Sequence, residues 1–131
     1  MELKDLVGLK KLDSVDFSTE VGGYYPDEEC TVCRFRLDGV LYAAYEDPED
    51  GYRSCMKELV IVKNNLSKNI FDPIDVMCRY NNGTEYYESD ILEIVDIVTG
   101  KIILEVGTDH YEDYYPLFVA RFDPTAMCLN N

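Results

Sequence analysis

The chain has 131 residues and carries 26 Asp and Glu against 12 Lys and Arg, a formal net charge of −14. That length fits one domain, and an apolar fraction of 47% supplies a core and argues against disorder. A field of this sign repels nucleic-acid phosphates and anionic lipid, which argues against direct DNA or RNA binding. No apolar run is long enough to span a bilayer, and the first residues lack the basic and apolar segments of a secretory signal. A cytoplasmic protein without membrane contact is expected.

Glu2 to Leu9 carries Leu3, Leu6, Val7 and Leu9 at helical spacing before Gly8 interrupts it, which predicts one short helix over 1–9. Leu12, Val15 and Phe17 predict a first short strand, ending before the loop Val21 to Pro26. Thr31 to Leu37 alternates, with Cys33, Phe35 and Leu37 on one face and Arg34 and Arg36 on the other. Asp38-Gly39 then tolerates the positive φ angles of a type I′ turn, and Val40 to Tyr45 returns as the partner strand. Glu46 to Ser54 reads as a loop, because its acids, Pro48 and Gly51 do not suit a central strand.

Further strands are predicted over Lys57 to Val62 and Ile74 to Arg79, separated by the polar connection Lys63 to Pro73. Asn81 to Thr84 reads as a turn and Glu85 to Glu88 as a short return. Ile91 to Ile97 and Ile102 to Val106 flank Val98 to Lys101 as a second hairpin. Gly107 to Tyr115 is another acidic, aromatic loop, and Leu117 to Phe122 is the last strand, stopped by Asp123-Pro124. The expectation is a mainly β (α+β) single domain over 1–131. It consists of a short helix over 1–9, a curled or two-layer antiparallel sheet of seven to eight short strands over 10–124, and a loosely ordered tail over 125–131. No internal repeat is evident in the sequence.

Two loops concentrate chemistry. Asp47, Glu49, Asp50, Tyr52 and Arg53 lie in the first, and Asp109, Glu112, Asp113 and Tyr114 in the second. Each follows a hairpin strand, so the two would lie near one another. As cation ligands they fall short, because Pro48 breaks the alternation of acids that a calcium loop uses. Tyrosine supplies rigid contact area with a polar tip, and carboxylates beside it pair with guanidinium groups; together they suit a basic, arginine-rich protein surface.

The other candidates are weaker. Cys30 and Cys33 have the spacing of a zinc knuckle, but no second close pair exists and strand positions three apart point to opposite faces. An odd count of five cysteines, most of them in or beside apolar strands, suits buried free thiols. His110 is the only histidine, and no nucleophile sits on a recognisable turn beside it. Neither glycine spacing for a phosphate or dinucleotide occurs, so no cofactor, resident metal or catalytic residue is assigned.

The motifs Glu46-Asp47-Pro48-Glu49-Asp50-Gly51-Tyr52-Arg53-Ser54 and Gly107-Thr108-Asp109 with Tyr114-Tyr115-Pro116 resemble small uncharacterised acidic proteins encoded by bacteriophages and prophages. The resemblance spans about Thr31 to Pro124. It implies an inhibitor of a host defence protein, anti-CRISPR-like or DNA-mimicking in charge, acting in the host cytoplasm on a partner with a basic surface. Being β-rich and tyrosine-rich, the chain departs from mimics built as acid-studded helices. Two alternatives stand beside this reading. One is a binder that sequesters a signalling nucleotide through converging arginines; the other is a metal-binding enzyme using Asp50 or Asp109. The oligomeric state is left open, since free strand edges would also permit a homo-oligomer.

Overall fold

The computed structural model describes residues 1–22, 26–48, 55–62, 72–109 and 116–127. The alternating segments form eight strands: β1 Gly8–Val21, β2 Glu29–Leu37, β3 Val40–Asp47, β4 Cys55–Ile61, β5 Ile74–Gly83, β6 Glu88–Asp96, β7 Ile102–Asp109 and β8 Leu117–Phe122. They make one antiparallel sheet in the order β4-β3-β2-β1-β5-β6-β7-β8. The fold is mainly β, as the sequence predicts. No helix among the described residues is long and apolar enough to cross a membrane.

Several local expectations are corrected. The N-terminal helix is only a 3-10 turn over Leu3–Leu6. Gly8, at φ +129°, releases the chain into a strand, and Gly8 and Leu9 are claimed by the ladder to Cys78 and Met77. β1 is thus 14 residues long and absorbs both the end of the predicted helix and the short strand predicted after it. Glu88 joins the following apolar run in a single β6, and the turn before it runs from Thr84 to Tyr87, closed by a 2.8 Å backbone bond from Thr84 N–H to the Tyr87 carbonyl. Asp38-Gly39 forms the predicted turn, with φ +50° and +80°. In the C-terminal segment, Ala126 and Met127 are buried in the core; 128–131 lie outside the described residues.

The topology holds a repeat that the sequence hides. β1 to β4 and β5 to β8 are two four-stranded meanders joined back to back through the β1–β5 ladder. β2 and β6 are both 9 residues long, with the same succession of exposed, half-buried and buried positions. β3 and β7 are both 8 residues long, and each ends on an aspartate, Asp47 and Asp109.

The sheet bends until its outermost strand β4 touches β7 and β8 at the opposite end. Irregularities between Leu12 and Ser14, Ala44 and Glu46, Asn81 and Gly83, and Ile94 and Val95 supply the bending. The concave face encloses one core, with Phe35, Leu92, Ile94 and Leu104 wholly buried at its centre. The Leu3–Leu6 turn packs on β5 and β6 and inserts Leu3 and Leu6 into that core. Phe35 stacks on Tyr42 with ring centroids 5.6 Å apart, which ties β2 to β3 inside it.

Gly107 is a pivot of the bend. It pairs with Ile91 on one side and Val119 on the other, at φ +145°. A β-carbon there would collide with the carbonyl oxygen of Asp90 and lie 2.9 Å from the Ile91 Cα. Gly107→Ala therefore combines a backbone clash with a strained φ, and is expected to cost about 2–4 kcal/mol. The midpoint of urea unfolding measures this; an unchanged midpoint would mean that the β6–β7 approach is not constrained there.

Candidate functional site

Asp47 ends β3 and is paired across the ladder with Cys55 at the start of β4. The next residue of β4, Met56, donates its backbone N–H to the Thr108 hydroxyl on β7 at 2.8 Å. Thr108 adjoins Asp109, the end of β7, whose carboxylate accepts a 2.7 Å bond from the Ser89 hydroxyl on β6. Through this chain of neighbours the bend carries the ends of β3 and β7, 62 positions apart in sequence, to one rim of the sheet. Thr108 is 3% exposed and had no signal in the sequence marking it as the hinge of the site.

Of the predicted binding residues, Asp47 and Asp109 are thus brought to a common rim. Glu49, Asp50, Tyr52, Arg53, Glu112, Asp113 and Tyr114 lie outside the described residues, as does His110. Glu46 belongs to the same rim, and its carboxylate accepts the Thr31 backbone N–H at 2.9 Å.

A cavity of about 420 Å³ opens beside this rim, between the Leu3–Leu6 turn and strands β4, β5 and β6. Leu3, Met56 and Leu59 give it an apolar lining, while Glu2, Glu58 and Asp90 contribute carboxylates against the Lys4 ammonium and the amino-terminal residue Met1. Lys4 is itself held by Glu2 at 3.1 Å. Tyr80 lines the same space; burial, and then its hydrogen bond to the Asp90 carboxylate, push its phenol up to about 12. The cavity therefore favours a cationic group carried on an apolar stem, and disfavours a phosphate.

The arginines of the described residues do not converge on it. Arg79 pairs with Glu93 at 3.1 Å and Arg121 with Glu105 at 3.9 Å. These four residues are successive cross-strand neighbours, forming one row on the convex face, opposite the core. Arg34 is gripped by Glu20, with one of its bonds at 3.1 Å, and by the Ser18 hydroxyl. Arg36 is only 8% exposed, on the convex side across from Ser14 and Leu41. The cysteines also separate by face: Cys33 lies in the main core and Cys30 in a small cluster with Val32 and Ala43. Burial pushes the Cys33 and Cys78 thiols up to about 12, which removes their nucleophilicity at neutral pH. Among the described residues, no group of three or more His, Cys, Asp or Glu is arranged to hold a metal ion.

Two outcomes follow from this geometry. Thr108→Val removes the acceptor for the Met56 amide and is expected to cost about 1–2 kcal/mol. It should speed hydrogen exchange at Met56 while the β1–β5 ladder stays protected; equal exchange in both proteins would remove Thr108 as the tie of the rim. The phenol of Tyr80 bears on alkaline stability. An unfolded tyrosine ionises near pH 10, whereas the folded one holds its proton to about pH 12. The stabilisation is full below about pH 10 and is lost as pH rises toward the folded value. Tyr80→Phe should therefore flatten the loss of stability above about pH 10, measured by unfolding at a series of pH values.

No family model, curated protein or solved structure matches this chain.

Proposed function

We propose that the protein is an acidic binding protein of the bacteriophage kind, which inhibits a host defence protein by docking its two acidic, tyrosine-bearing segments on a basic surface. The observation that carries this reading is the meeting of the β3 and β7 ends through Met56 and Thr108. It puts the starts of two segments that hold Glu49, Asp50, Glu112 and Asp113, with Tyr52 and Tyr114, on the same side of the fold. The carboxylates of the adjoining cavity have the same electrostatic sense, and would receive a lysine or arginine side chain of the partner. With a net charge of −14, attraction to a basic groove would also speed encounter, and salt would weaken it.

The alternative of a nucleotide-sequestering protein finds less support, because the arginines Arg34, Arg79 and Arg121 are each engaged by a glutamate outside the cavity. A metal-binding enzyme finds none beyond the acidity of the loops.

The test is capture of the tagged protein's partner from host lysate at low and high salt, followed by the double variant Asp47→Lys with Asp109→Lys. A defence or nucleic-acid-handling protein that is released as salt rises, and whose affinity falls by about tenfold or more in the variant, is expected. Binding that is flat across ionic strength and indifferent to the variant would overturn the reading.

A further inference from the structure

We propose that the exposed edge of β1 from Asp16 to Val21 receives an extended strand of a protein partner whose side chains alternate basic and apolar. The inference rests on β1 and the β1–β2 hairpin and is independent of the acidic rim. β1 pairs with β2 as far as Val21, but with β5 only over Gly8–Leu12. From Asp16 onward, then, one side of its backbone meets β2, and among the described residues no strand occupies the other. The edge runs for six residues, about 20 Å at the rise of an extended chain, the usual reach of strand addition.

Exposure rises along this edge as it leaves the core. Val15 is 2% exposed, Phe17 39% and Val21 62%. Side chains alternate, so Phe17, Thr19 and Val21 continue the core face while Asp16, Ser18 and Glu20 lie on the other. An incoming strand would thus lay apolar side chains beside Phe17 and Val21 and basic ones beside Asp16. Natural free edges are usually blunted by lysine, proline or a bulge. This one has no lysine or proline, and its irregularity falls earlier, between Leu12 and Ser14.

Charge selects the occupant. Asp16 is exposed with no ion-pair partner among the described residues, and Asp27, Glu28 and Glu29 are exposed where the hairpin reaches the end of the edge. The only cation among these strand neighbours, Arg34, is held by Glu20. A second copy of the chain would set this acidity against itself, so the complementary occupant is a basic segment of another protein.

The probe is a capped heptapeptide of alternating lysine and valine, added to the full chain. Binding is expected to weaken with salt and to raise amide protection at Asp16 to Val21 in hydrogen exchange. Two further peptides, N-methylated on all lysines or on all valines, each block one edge of the peptide strand. One of them should lose binding and the other keep it. Asp16→Asn should weaken binding roughly 2- to 5-fold with thermal stability unchanged. The proposal is overturned if the unmodified peptide does not bind, if both N-methylated peptides bind equally, or if protection rises elsewhere. An affinity unchanged in Asp16→Asn overturns the assignment of a basic partner.

Discussion

A sheet of eight strands presents two broad faces, and a chain of 131 residues has enough apolar side chains to cover one of them well. Bending that face around itself resolves the mismatch, and everything else in the molecule follows from the bend. It needs the strand irregularities and the bare backbone at Gly107, where β6 and β7 approach too closely for any side chain. It ends where β4 reaches β7 and the Met56 amide finds a hydroxyl, not a neighbouring carbonyl, to receive it. With the core gathered on the concave side, the Leu3–Leu6 turn is left to close the space between β4 and β5, and the cavity is what that short turn does not fill.

The same bend organises the charge. On the convex face, the exposed arginines of β5 and β8 flank the two glutamates of β6 and β7 in one row, so that a pair of facing carboxylates is neutralised within the sheet. At the rim, Asp47 and Asp109 stand near the carboxylates that Glu2, Glu58 and Asp90 bring to the cavity, whose lining also holds Lys4 and Met1 with its amino terminus. Among the described residues, ion pairs balance the charges across the middle of the sheet, while Asp16 on the outer part of β1 has no ion-pair partner. Such unevenness is what separates charge that can direct a partner from charge that only keeps a protein dispersed.

Much of the fold was legible in the sequence. The Asp38-Gly39 turn, the strands on either side of it, the last strand and its stop at Asp123-Pro124 all rest on local rules of turn chemistry and alternation, which hold wherever the segment ends up. The N-terminus departs from the sequence expectation because Leu3, Leu6 and Leu9 fit helical spacing, while the pairing of Leu9 with Met77 is a contact across just over half the chain. Pairing energy outweighed a short local preference. The repeat of two meanders was likewise invisible, because it is written in burial and register. Glu29–Leu37 and Glu88–Asp96 share a pattern of exposure with little identity of residues.

By itself the sequence determined the class of the protein: an antiparallel β domain, strongly acidic, with thiols suited to a core and with acids and tyrosines massed in two segments. Those are properties of composition and of neighbours in the chain, and physical chemistry acts on them locally. Only the tertiary structure decided that the ends of β3 and β7 share a rim, that Arg34, Arg79 and Arg121 are spent on their own glutamates, and that β1 outruns β5 to leave an edge with no strand on it among the described residues. Each of these depends on which strands meet and in what register, and register is set by the burial of whole faces, which no single segment encodes.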